Sequence, residues 1–347
     1  MEFGISTFGD IHPDGVAGRA INAYQRMQEL MEQAKLADEI GLEVFALGEH
    51  HRPDFMISAP EVILAGAATI TKKIKLSSAV TVLSSTDPVR TFQNFASLDL
   101  LSSGRAEIMA GRGSFIESFP LFGYALKDYD ELFDEKLDLL LTINKNEVVN
   151  WRGEYRAAIT NLGVYPRPYQ AKLPVWLAVG GTPASMMRAG KLNLPVTLAI
   201  LGSDPDRFVP LVELYRESAA KAGHDAAKLE LAINCHFYIA DSSQQASDEF
   251  WPVYERTMNR IGKERGWGKI TRDQFEYMRS PKGSLLVGDV EQVVNKILYQ
   301  HKLFNHTRFL AQIISGDIPH NKWIHSIELM GTEVAPAVRA KLRPEAS

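Results

Sequence analysis

The chain has 347 residues, 45% hydrophobic and 23% charged, with a formal net charge of −4. That balance is globular and excludes a disordered or collagen-like chain, while the mild, scattered charge leaves no footprint for nucleic acid or an anionic membrane as partner. A single cysteine, Cys235, excludes intrachain disulfides and thiolate metal clusters.

In chain order, "FGIST" reads as a first strand and "YQRMQELMEQAKLADEIG" as a helix that stops at Gly41. Its start, "MEFGISTFGD", lacks the basic head and apolar core of a signal peptide, and no apolar run approaches bilayer length, so the expected location is the cytoplasm. Next come "VFAL" with a helix from about Pro60, "KIKLSSAVTVL" with a helix from about Pro88, and "AEIMAG" with a Gly/Phe loop. "NEVVNWRGEYRAAITNLGVYPRPYQ" then reads as a hairpin-like excursion.

The rhythm resumes with "PVWLAVGG" and a helix from Pro183, "PVTLAI" and a helix from about Asp206, and "LELAINCHFYIA" and a helix from about Ser243. Cys235 in that last strand reads as a small buried apolar residue. A segment from about Arg265 to Gly288 precedes "DVEQVVNKILYQ", and "TRFLAQI" leads to a last helix ending in "VRAKLRPEAS". Eight strands with eight crossovers predict an α/β fold, a closed (β/α)₈ TIM barrel, as one domain over residues 1–347 with insertions before strand 5 and after helix 7. An open doubly wound sheet would carry a glycine fingerprint after its first strand, and "STFGDIHPDG" has none.

In such a barrel the loops at the C-terminal strand ends form the active-site face. After strand 4, "GRGSF" sets Arg112 between Gly111 and Gly113, followed by Ser114: a guanidinium for a phosphate or carboxylate, or an arginine paired with a loop acid. After strand 5, "GGTPAS" offers Gly180 and Gly181, with Thr182 as N-cap and Pro183 as first helical residue, which suits an anion and equally a plain helix start.

After strand 2, "LGEHHRPDF" holds Glu49, His50 and His51. Adjacent residues of an extended segment point apart, and no H-E-x-x-H spacing occurs, so no metal is expected. An imidazole there serves proton transfer near neutrality or simply bonds a loop carbonyl. Glu49 could orient an imidazole, accept from a ligand, or cap the next helix.

Taken in order, "VFALGEHH", "SAVTVLSSTDPVRTFQNFASLDLLSSGRAEIMAGRGSF" and "PVWLAVGGTPASMMRAG" resemble the bacterial luciferase-like superfamily of flavin-dependent monooxygenases and oxidoreductases, over nearly the full chain. The resemblance implies a homodimeric barrel that binds FMN, or in some branches a deazaflavin. It places the flavin phosphate against Arg112 and the neighbouring Gly113 and Ser114 on one side and Gly180, Gly181 and Thr182 on the other. It also implies a cis peptide at Ala79–Val80 under the isoalloxazine ring, and a pocket lined by Glu49 and His50. His50 is then the candidate general acid or base and His51 the runner-up.

Where luciferases proper carry a cysteine before the arginine this chain has Gly111, and where they carry Glu–Ser it has Gly180–Gly181. The expectation is therefore oxygenation of a small organic substrate with reduced FMN from a separate NAD(P)H-flavin reductase, rather than light emission. The alternatives are deazaflavin-dependent hydride transfer and flavin binding without turnover.

Overall fold

A computed structural model describes residues 1–11 and 22–343. The last four residues of "STFGDIHPDG" and the last four of "VRAKLRPEAS" lie outside that range. The first half comprises β1 (Glu2–Thr7), α1 (Ala23–Glu39), β2 (Val44–Leu47), α2 (Pro60–Ile70), β3 (Lys75–Ser78), β4 (Thr81–Val82), α3 (Pro88–Ser102), β5 (Ala106–Gly111), α4 (Ser118–Leu121) and α5 (Tyr129–Lys145). A hairpin, β6 (Val148–Trp151) and β7 (Ile159–Gly163), follows. Then come β8 (Val175–Val179), α6 (Pro183–Leu192), β9 (Val196–Ala199), α7 (Val209–Lys221), β10 (Leu231–Ile239), α8 (Ser243–Arg265), α9 (Arg272–Arg279), β11 (Leu286–Gly288), α10 (Val290–Phe304), β12 (Arg308–Ile313), α11 (His320–Leu329) and α12 (Ala335–Leu342).

Eight of these strands close a parallel ring in the order β1-β2-β3-β5-β8-β9-β10-β12, with β12 paired back to β1. This is the expected TIM barrel. Alternation along each strand sends one set of side chains out to the helices and the other into the ring. Phe3, Ile5, Phe45, Leu47 and Ile108 belong to the outer core, whereas Val44, Ala46, Met109, Trp176, Ala232 and Leu310 pack inside.

The N-terminal end of the ring is plugged by Arg308, 1% exposed, which bonds Glu107 at 2.8 and 3.1 Å and lies 4.1 Å over the Trp176 ring. With that end filled, the opposite mouth is left for ligands. Several helices start where the sequence signals them: Asp87 accepts from the Val89 and Arg90 amides before Pro88, and Ser242 accepts from Gln245 at the head of α8.

Three expectations need refinement. The "KIKLSSAVTVL" strand is two pieces, β3 and β4, separated by Ala79–Val80. The helix expected from about Asp206 opens as a tight 3₁₀ turn, Pro205–Phe208, before α7. The second insertion contributes α9 and an extra parallel strand, β11, beside β10. Among the described residues no helix is long and apolar enough to cross a membrane.

Candidate functional site

At the mouth, the ends of β2, β4 and β5 meet through glycines. A Cβ on Gly48 would lie 2.1 Å from Phe8 Cε1 and 2.5 Å from the Ala79 carbonyl oxygen, and one on Gly111 would lie 2.7 Å from Val80 Cγ2. Both positions therefore need glycine for close approach. The Ala79–Val80 peptide bond is cis, and both residues are half-buried at the mouth.

Glu49 and the two histidines divide sharply. The Glu49 carboxylate, 3% exposed, has Oε1 2.7 Å from His51 Nε2, while Oε2 accepts the Val82 amide at 3.0 Å. It caps no helix: α2 begins later, at Pro60, with Ala59 before it. A cavity of about 290 Å³ reaches Glu49 from between α2 and α3, past Ser58, Glu61, Ser85, Thr86 and Arg90.

His50 turns the other way, as neighbours in extended chain must. Its ring lies 4.4 Å from Phe8, 4.6 Å from Phe55 and 4.8 Å from Phe115. Burial among these rings pushes its pKa down to about 3, with Asp54 opposing and Arg52 adding to the shift, so the imidazole is uncharged near neutrality. The Gly/Phe loop thus reaches both histidines, because Phe122 stands edge-on to His51 at 5.1 Å.

Across the mouth, Arg112 is paired with a loop acid, the second of its two sequence readings. Its guanidinium pairs with Asp130, and its Nη2 also donates to Thr182 Oγ1 at 3.3 Å. Tyr129 steadies the loop by donating to the Gly113 carbonyl at 2.8 Å, and Gly113 has a φ of +82°. Ser114 is exposed, its carbonyl accepting from Arg265 at 2.9 Å.

Thr182 occupies the N-cap position of α6 but its hydroxyl caps nothing, contrary to the sequence expectation; it accepts from Arg112 instead. The first-turn amides of α6 therefore lack a side-chain cap. Gly181 has a φ of +114°, and a Cβ built on Gly180 meets no atom within 4 Å. Open backbone, uncapped amides and a guanidinium form a cradle suited to a phosphate group.

Thus Glu49, His50, Ala79 and Val80 gather on one side of the mouth, and Arg112, Gly113, Gly180, Gly181 and Thr182 on the other, while Ser114 turns toward α8. Sequence reasoning missed Phe8, Phe55, Asp130 and the far end of α8. The two phenylalanines follow strands and were legible as strand-end residues; the others reach the mouth only through the fold. Among the described residues no group of three or more His, Cys, Asp or Glu side chains gathers as a metal site would require.

Residues 1–307 match the sequence pattern of the luciferase-like monooxygenases. A curated relative, 4-hydroxyprotoasukamycin monooxygenase of Streptomyces nodosus subsp. asukaensis, is 27% identical over 340 residues, covering 90% of this chain and 87% of that one. The oxygenating constituent of 3,6-diketocamphane monooxygenase of Pseudomonas putida, solved in complex with FMN, superposes with a TM-score of 0.76 at 23% identity, covering 97% of this chain and 98% of that one. An F420-dependent secondary alcohol dehydrogenase also superposes at 0.76, with 17% identity and coverage of 97% and 99%. At these identities the superpositions show a shared fold.

Proposed function

The chain belongs to the luciferase-like monooxygenase family, and we propose that it uses reduced FMN, delivered by a separate NAD(P)H-flavin reductase, and dioxygen to oxygenate a small organic substrate. The observation that carries the cofactor choice is the cradle of Arg112, Gly180, Gly181 and Thr182, whose guanidinium, open glycine backbone and uncapped helix start fit a terminal phosphate. When bound, the reduced flavin supplies the electrons that activate dioxygen.

The chain's own residues do the rest. Arg112 and the start of α6 hold the phosphate, while Gly48, Ala79, Val80 and Gly111 leave a shallow floor for a flat ring. Phe8, Phe55 and Phe115 around His50 keep water from the reacting face. Glu49 fixes the orientation of His51, so this pair is the proton-handling group, and the cavity behind Glu49 is its route to solvent. His50, neutral in its aromatic wall, serves as a hydrogen-bonding group rather than as a charged acid. In the homodimer that goes with this reading, a second copy would cover the exposed Val62 of α2 and Leu100 and Leu101 of α3.

A second reading, deazaflavin-dependent hydride transfer, draws on the F420-dependent structural neighbour. An anaerobic fluorescence titration with oxidised and reduced FMN and with a deazaflavin, followed by oxygen-uptake measurements, separates them. Tighter binding of reduced FMN with oxygen consumption supports the monooxygenase; preference for the deazaflavin without oxygen uptake replaces it with hydride transfer.

A further inference from the structure

The helix α8 does not simply pack outside the barrel; its C-terminal half crosses the mouth. Val253 lies against Gly316 in the loop after β12, and Arg256 pairs with Asp317 in that loop. Further along, Arg260 Nη2 lies 3.0 Å from Asp54 Oδ2, and Glu264 takes two bonds from Arg52 at 2.5 and 2.7 Å. Arg265 then reaches the Ser114 carbonyl at 2.9 Å. The inner face of α8 therefore spans from β12 to the loops after β2 and β5.

Beneath the start of that span lies His236. On β10 it shares a face with Ala232 and Asn234, which point into the ring, Asn234 donating to Ser6 Oγ at 2.8 Å. His236 stands in register with Gln312 of β12, which is in register with Ser6 of β1. Overhead, the Tyr254 ring of α8 is 5.8 Å from the His236 ring, edge to face. Thr257 neighbours Tyr254 one turn on, and Arg260 neighbours Thr257 a further turn on. Arg260 ends beside Asp54, and the adjacent Phe55 ring is 4.6 Å from His50.

Along this path, among the described residues, five buried polar atoms have no hydrogen-bond partner: His236 Nδ1, Thr257 Oγ1, Arg260 Nε, Arg260 Nη2 (which lies within ion-pair distance of Asp54) and Asp10 Oδ2. His236 and Thr257 are each only 4% exposed. Buried polar groups are ordinarily paired, so unpaired ones on facing elements are open to a partner, a ligand oxygen or a water.

We propose that the substrate's polar subsite lies under α8, between His236 and Arg260, and takes a carbonyl or hydroxyl oxygen of a neutral organic molecule whose apolar body lies against Phe8, Phe55 and Phe115. This deepens the flavin-dependent reading above and rests on it for the chemistry that follows binding. Thr257 and Arg260 Nε donate to the oxygen, and His236 donates or accepts according to its tautomer.

Neutrality follows from the charge pattern. Arg52 is already paired with Asp54, Glu117 and Glu264, Arg256 with Asp317, and Arg260 with Asp54. Among the described residues Arg265 has no ion pair but sits at the far end of α8, by Ser114 and Phe115; around His236 and Thr257 a carboxylate would find no uncommitted cation and would be repelled by Asp10 and Asp54. His236 offers none either, since burial pushes it down to about 4.

The test uses the full-length protein with FMN and three probes of one shape: indane, 1-indanone and 1-indanecarboxylate. Binding is followed by NMR, with the His236 ring nitrogens assigned through His236→Gln. The ketone is expected to bind about tenfold more tightly than indane and to shift the His236 resonances. Thr257→Val, which removes an unpaired hydroxyl at constant shape, should weaken 1-indanone about fivefold while leaving indane, FMN and the melting temperature unchanged.

Equal binding of ketone and hydrocarbon, preference for the carboxylate, or a Thr257→Val protein with unaltered ketone affinity would each overturn the subsite. A wild-type protein that binds no FMN would instead remove the flavin reading, and the same probe series on the flavin-free protein would still decide the subsite.

Discussion

Glu49 holds His51 and not His50: its Oε1 lies 2.7 Å from His51 Nε2, while His50 is enclosed by Phe8, Phe55 and Phe115. Two adjacent imidazoles thus receive different work. His51→Gln and Glu49→Gln are expected to slow the single-turnover reaction of the flavin-loaded protein at least tenfold and to move the pH–rate profile alike, since the two act as a unit. His50→Gln, which retains a neutral hydrogen-bonding group, should keep the wild-type pH profile. A profile that changes with His50→Gln alone would return the acid–base role to His50.

Arg112 is contested between Asp130 and the cradle. Arg112→Ala should weaken FMN by about 1.5–3 kcal/mol and leave riboflavin nearly unaffected, because the lost interaction is a charged hydrogen bond to phosphate. The Asp130 side chain is 65% exposed, so its ion pair is worth little to the fold. Asp130→Asn is therefore expected to tighten FMN a few-fold at unchanged stability. Parallel flavin titrations of both variants check this, and equal losses for FMN and riboflavin would remove Arg112 from the phosphate.

The open backbone at Gly180 can be filled without harm to the free protein. A Cβ there meets no atom within 4 Å, so Gly180→Ala should leave the melting temperature unchanged. The same methyl group intrudes on the cradle and should raise the FMN dissociation constant several-fold. Gly111→Ala is the contrasting control, since its Cβ would strike Val80 at 2.7 Å and should lower the melting temperature.

Acid should unfold this protein early. Burial pushes His50 and His306 down to about 3 and His236 to about 4. As pH falls from about 6.5 to 4 the unfolded chain takes up three protons that the folded chain refuses, so each group removes about 1.4 kcal/mol of stability per pH unit within that window. Asp10 acts in the opposite sense: burial raises it to about 6, so the folded form keeps a proton between about 4 and 6 that the unfolded chain has lost. Its contribution falls as pH rises through that range. Asp10→Asn should accordingly stabilise the protein at pH 8 by roughly 1–3 kcal/mol and give no gain below pH 4. Denaturant titrations across pH measure both effects.

Much of this was legible in the chain itself. Strand and helix periods, prolines at the helix starts and glycines at the strand ends are local signals, and they yielded the eight barrel strands, the hairpin insertion and both sides of the candidate flavin cradle. Local rules also separated His50 from His51, because side chains alternate along extended backbone. The gap at Ala79–Val80 was less plain: the β-rich run "KIKLSSAVTVL" carries no break in its pattern, and only the fold splits it.

What the sequence by itself determined is the frame: a parallel barrel whose strand ends present Glu49, two histidines, Arg112 and an open glycine pair on one face. Only the tertiary structure decided how those groups are employed. Which histidine Glu49 holds, that Asp130 competes for Arg112, and that α8 crosses the mouth all depend on side chains meeting across the fold. Arg52 and Glu264 are 212 residues apart, and Arg265 and Ser114 are 151 apart. No periodicity encodes such pairs, since they form only after burial of the barrel core has fixed the elements that carry them.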